Sequence, residues 1–200
     1  GLDSHSIDYS AMSISLNASL QKELPPVVIT DLTAEKNKWK FNTIIIDPGH
    51  GGSVDPGATQ NGIVEREINQ EVADELRNEL NSRGILAFNL RSGNYHIPLS
   101  VRSAYADQLQ PEAMISIHHN SPSASSSGIP GTESYVQSNS NRSLRLGGYV
   151  QDAVFSKLSE NTNVNWVSRS DAGVLRVLNS SGTDTYGMLS RPKTPTTLVE

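Results

Sequence analysis

Residues 43–52 read Thr-Ile-Ile-Ile-Asp-Pro-Gly-His-Gly-Gly. Four β-branched residues in a row, closed by Pro48 and Gly49, form the pattern of a short strand buried on both faces, as in parallel or mixed sheets. A glycine-rich loop follows as far as Gly62. Then Ile68, Val72, Leu76 and Leu80 recur every four residues between Glu65 and Arg83, and Gly84 stands where a helix C′ residue belongs, so this segment is read as an amphipathic helix. Further out, residues 85–90 (ILAFNL) and 114–118 (MISIH) read as strands, with a second helix over 99–109 between them. The alternation predicts a single α/β domain with helices on both faces of a mixed, mostly parallel sheet.

Downstream, residues 122–131 (PSASSSGIPG) are a loop by composition, 132–137 (TESYVQ) a strand and 144–158 a third helix. Residues 174–178 and 196–199 supply two more strands. The Ser-, Gly- and Pro-punctuated segment 179–195 between them is expected to be a long loop near a site, or a mobile flap. Residues 1–42 carry only weak alternation and the short apolar run Val27-Val28-Ile29. They are read as a lead-in or linker remnant ahead of a domain over 43–200.

Composition narrows the chemistry. The chain has no cysteine, which excludes a disulfide scaffold, a thiolate nucleophile and any Cys-ligated zinc or iron-sulfur centre, so a metal here must be held by His and carboxylates. A formal charge of -5, with no basic cluster longer than Lys36, Lys38 and Lys40, argues against a nucleic-acid partner. No run of apolar residues is long enough to predict a membrane span. Oligomeric state is left unassigned.

Motifs for nucleophilic serine, phosphate loops and HExxH metal sites are absent. What stands out is His50, just past the end of the first strand and flanked by glycines. A solitary histidine there is ordinarily structural, but His118 leaves the third strand in the same way, followed by His119 and Asn120. Function in such sheets gathers at strand C-terminal ends. Glu65 opens the first helix, where the macrodipole favours a carboxylate with or without a metal. Two His and one Glu at one rim would leave a tetrahedral zinc one open position, the arrangement of a catalytic site. Asp47, Asp55 and Glu67 compete for the third place, and Asp47 or Asp55 could instead orient an imidazole.

The stretch IIIDPGHGGSVDPGATQNGIVEREINQEVADELRNEL, then LSVRSAYAD, MISIHHNS and PTTLVE, resembles the successive signatures of the zinc-dependent N-acetylmuramoyl-L-alanine amidases, peptidoglycan amidases of bacterial cell-wall remodelling. The resemblance implies a mixed sheet of about six strands, one zinc ion held by His50, Glu65 and His118, and Glu200 as catalytic base. It implies cleavage of the amide joining the lactyl group of N-acetylmuramic acid to L-alanine of the stem peptide, in peptidoglycan or muropeptides. It also implies an exported protein of the periplasm or cell wall. His119 and Asn120 are candidate substrate contacts, and Arg102 is read as a structural buttress. Family members continue past the glutamate into a closing helix, so the domain is expected to lack that helix. Another zinc peptidase or deacetylase of the wall, or a silent wall-binding module, are the alternative readings.

Overall fold

The computed structural model describes residues 21–24, 42–120, 130–168 and 173–200. Its centre is a mixed sheet. Strands β1 (Gln21–Leu24), β2 (Thr43–Pro48), β5 (Leu86–Asn89), β6 (Ala113–Ile117), β8 (Ser134–Val136), β10 (Val174–Asn179) and β11 (Thr196–Val199) lie in the order β1-β10-β8-β11-β6-β2-β5. The four strands β11, β6, β2 and β5 are mutually parallel, β8 runs against β11, and β10 follows β8. Six of the seven are the strands expected from the sequence. The seventh, β1, comes from the stretch read as lead-in and pairs antiparallel with the outer edge of β10. Two small ribbons complete the β-structure among the described residues: β3 (Thr59–Gln60) with β4 (Ile63–Val64), and β7 (Gly131–Thr132) with β9 (Val167–Ser168). The expected strand over 132–137 is therefore divided at Glu133.

Alternation along the strands assigns the helices to faces. Ile44, Ile46, Ile115 and Ile117 pack with Ala73 of α1 (Glu65–Ser82) and Val150 of α3 (Asn141–Leu158). On the other face Ile45 and Met114 meet Ala106 of α2 (Leu99–Leu109) and Met188 of α4 (Gly187–Ser190). Helices thus cover both faces.

Two expectations are corrected here. The inward positions of α1 are Glu65, Asn69 and Ala73, with Leu76 and Leu80 beneath, while Val72 is exposed. The apolar stripe is rotated because two inward positions in the first turns carry polar residues. Segment 179–195 is not a free loop: it holds α4, buries Met188 and Leu189, and is tied down by Gln137, whose Nε2 donates to the carbonyls of Leu189 and Pro192. The run 27–29, the lysines at 36, 38 and 40, and most of the 122–131 loop fall outside the described residues.

Ile46 is fully buried at the sheet centre, whereas Leu86 on the edge strand is half exposed. Ile46→Ala should cost about 2–5 kcal/mol and Leu86→Ala about 0.5 kcal/mol, read from urea unfolding midpoints.

Candidate metal centre

Backbone pairing continues past the ends of three neighbouring parallel strands. Gly49 N donates to Ile117 O at 2.9 Å, and His118 N donates to Val199 O at 2.9 Å. The ends of β2, β6 and β11 are therefore in step, which sets His50, His118 and Glu200 on adjacent strand exits spaced by about 4.8 Å per strand.

His50 sits in the left-handed region at φ 61°, unusual for a residue with a side chain. The flanking glycines do not leave this loop free, because two buried arginines lock it. Arg102 Nη1 donates to Pro48 O at 2.8 Å and its Nη2 to His50 O at 2.5 Å, while Arg91 Nη2 donates to Gly49 O at 3.2 Å. Three consecutive carbonyls are thus fixed. Arg102 Nη1 also pairs with Asp47 Oδ1 at 2.6 Å, and Ser116 Oγ donates to Asp47 Oδ2 at 2.7 Å, joining β2 to β6 just below the two histidines. Arg102 is accordingly the buttress expected.

Glu65 does not cap its helix, whose N-cap is Val64. Its Oε2 accepts from Ala58 N at 2.8 Å, and its Oε1 accepts from His119 N at 3.1 Å. The same Oε1 lies 3.2 Å from His50 Nε2 and 3.1 Å from His118 Nδ1. His50, Glu65 and His118 each present one ligand atom, all within 4.8 Å of one another. Ligand atoms about 2.0–2.1 Å from a tetrahedral zinc are themselves separated by about 3.3 Å, so the donor set fits a zinc ion. The surrounding backbone is made to measure: a Cβ on Gly49 would overlap the His118 ring, and one on Gly57 would overlap Glu65 and His50.

The competing carboxylates are placed elsewhere. Asp47 is consumed by Arg102 and Ser116, and Glu67 is exposed beside Arg66. Asp55 Oδ1 accepts from His50 Nδ1 at 2.6 Å, the arrangement that orients a ligating imidazole and presents its other nitrogen to a metal. Asn120 Nδ2 donates to Glu133 Oε1 at 3.1 Å. Glu133 and Glu200 also exchange backbone hydrogen bonds, at 3.2 and 2.9 Å. Nothing in the sequence singled out Glu133 or Asn69. Glu133 reads as one residue of a strand, and Asn69 as a polar position on a helix.

Charges follow this geometry. Burial alone would raise the Glu65 pKa, but hydrogen bonds and charge from His118 and His50 outweigh it and hold the carboxyl well below its ordinary range. For His50, burial pulls downward, and bonds and charge from Glu65 and Asp55 bring the net shift upward. Burial lowers His119, with the Glu65 charge opposing. Glu200 is pushed well above its ordinary value by burial and by the charges of Glu65 and Glu133, and its Oε2 is shielded from solvent without a hydrogen-bond partner.

A mixed α/β sheet with two imidazoles and a carboxylate converging beyond its parallel strands defines an α/β protein with a candidate metal site at its strand ends. Comparison with known proteins sharpens this class. The chain belongs to the N-acetylmuramoyl-L-alanine amidase family, whose profile matches residues 44–200. It is similar to N-acetylmuramoyl-L-alanine amidase LytC of Bacillus subtilis (strain 168), 34% identical over 136 residues that make up 66% of this chain and 27% of LytC. It is also similar to N-acetylmuramoyl-L-alanine amidase AmiC of Neisseria meningitidis serogroup B, 30% identical over 64% of this chain and 32% of AmiC. The crystal structure of N-acetylmuramoyl-L-alanine amidase from Clostridium difficile 630 has the same fold, with TM-score 0.63 at 22% identity over 81% of this chain and 80% of that one. The chain spans 27–55% of the length of the curated relatives it matches first.

Two outcomes follow. Arg102→Leu strands Asp47 as a buried unpaired charge and should cost about 3–5 kcal/mol, whereas Arg102→Lys should fold but bind zinc about 10–100-fold more weakly, as read by competition with a chromophoric chelator. In metal-free protein the Glu65 contribution to stability is full above about pH 4.3 and erodes as pH falls. The His50 contribution is full below about pH 6.5 and is lost as pH rises through its raised folded value. Unfolding free energy measured against pH in chelator should therefore fall on both sides of that window, and Glu65→Gln should flatten the acid limb.

Proposed function

We propose that this chain is a zinc-dependent amidase that hydrolyses the bond between the lactyl group of N-acetylmuramic acid and L-alanine of the peptidoglycan stem peptide. The observation that carries the reading is the convergence of His50, Glu65 and His118 one strand away from the shielded carboxylate of Glu200. His50, Glu65 and His118 would hold the ion, with Asp55 orienting the first imidazole and Asn69 the glutamate. When bound, zinc supplies a water acidified to a pKa of about 7 and a Lewis acid for the scissile carbonyl.

The remaining chemistry belongs to the chain. Glu200 accepts the proton of the attacking water on its carboxylate and delivers it to the departing alanine nitrogen, so the amine leaves neutral. Burial and two neighbouring carboxylates make Glu200 more basic than an exposed glutamate, which suits that role. Glu133, 2% exposed, and Asn120 support the strand exit that carries it. The substrate places the enzyme outside the cytoplasmic membrane, in the periplasm or cell wall, and no helix among the described residues is long and apolar enough to cross a membrane.

Digestion of purified muropeptides followed by mass spectrometry tests this reading. Release of intact stem peptides beginning with L-alanine is expected. Cleavage within the peptide, a new free amine on the sugar, or no turnover at all by zinc-loaded protein would overturn it. Glu200→Gln should lower kcat by roughly 10²–10⁴-fold at unchanged zinc content, and a chelator should abolish turnover while the far-UV circular dichroism stays that of the folded chain.

A further inference from the structure

Asn69 is fully buried on α1, one turn after Glu65. Its Nδ2 faces two groups that only accept, Gly49 O at 3.2 Å and Glu65 Oε1 at 3.4 Å. The amide orientation is therefore determined, and Oδ1 must be the atom that meets His119 Nδ1, 2.7 Å away. An amide oxygen has no hydrogen to give, so His119 Nδ1 carries the proton in this bond, and Nε2 is left as the acceptor. His119 lines a groove of about 200 Å³ with Glu65, Gln60, Asn61, Ile63, Ile68 and Asn120. Apart from the Glu65 carboxylate, the other lining side chains are aliphatic or primary amides.

We propose that Asn69 fixes the tautomer of His119 so that Nε2 accepts a hydrogen bond from the stem peptide, specifically from the peptide N–H that follows L-alanine. The inference rests on the amidase reading above and deepens it. His119 is the substrate contact and Asn69 the positioning residue. An imidazole free in water prefers the proton on Nε2, which would turn a donor toward a donor. The single buried amide prevents that while also holding the Glu65 ligand and the Gly49 carbonyl, so substrate contact and metal site share one anchor. Away from Glu65, the aliphatic and amide lining suits a peptide backbone.

Two measurements test this. The first is ¹⁵N-resolved NMR of the histidine rings in metal-free protein near pH 8, above the ordinary imidazole pKa of about 6.5. His119 should show a protonated Nδ1 and a bare Nε2, and Asn69→Ala should move it to the opposite tautomer. A wild-type His119 protonated on Nε2 would overturn the proposal irrespective of activity. The second is steady-state kinetics on N-acetylmuramoyl-L-alanyl-D-isoglutamine and on its analogue methylated at the isoglutamine nitrogen. His119→Gln keeps an acceptor near the Nε2 position and should raise KM less than His119→Asn does. His119→Asn retains only the bond toward Asn69 and should raise KM roughly tenfold, the loss of one hydrogen bond, with kcat little changed. Methylation should raise the wild-type KM by a similar factor and add nothing in His119→Asn. Equal methylation effects in both proteins would show that the donor is not this N–H and sink the assignment. A wild type that releases no alanyl peptide would instead remove the amidase reading, and the substrate contact with it.

Discussion

The buried pair between Asp47 and Arg102 is the interaction on which the site depends. Both side chains are almost wholly shielded, at 1% and 2% exposure. Removing two charges from water is expensive, and hydrophobic replacements often serve stability as well or better. Its use here lies in what else the guanidinium holds. Besides Asp47 it donates to the carbonyls of Pro48, His50 and Ile97, and Asp47 takes a further bond from Ser116 on the next strand. One salt bridge thereby ties the exits of β2 and β6 to α2 and holds His50 in a left-handed conformation it would not otherwise favour. Arg91 completes the clamp from the other side at Gly49.

Much of this was legible in the sequence because the relevant signals are local. Three isoleucines before Pro-Gly can be little other than a buried strand, and the alternation of such strands with helices leaves few topologies. Adjacent parallel strands bring His50 and His118 together by register alone. The illegible parts are those where function overrode pattern. Asn69 and Glu65 occupy inward positions of α1, so the apolar stripe holds at Leu76 and Leu80 but leaves Val72 exposed. Glu133 reads as a strand residue, yet it falls at the break between β7 and β8, beside Glu200. Segment 179–195 has the composition of a loop, but Met188, Leu189 and the carbonyls that Gln137 captures make it part of the core. Those contacts are long-range and leave no periodic trace.

The site is also a study in uneven charge. Glu65 and Glu133 both bear electrostatically on Glu200, yet the environments of Glu65 and Glu200 push the two apart. Glu65 is held ionised by the two imidazoles, and Glu200 is made basic by burial and by its acidic neighbours. A divalent cation would satisfy the first and draw on the second, which is why a single carboxylate type can supply both ligand and base in the proposed reaction.

The account turns on where a metal binds. Anomalous diffraction at the zinc edge from crystals of the zinc-loaded protein should give one strong peak in contact with His50, Glu65 and His118, with Asp55 on the far side of the His50 ring and Glu200 outside bonding distance of the ion. A peak held by Asp55 or Glu200 in place of Glu65, or no peak between the two histidines, would contradict it.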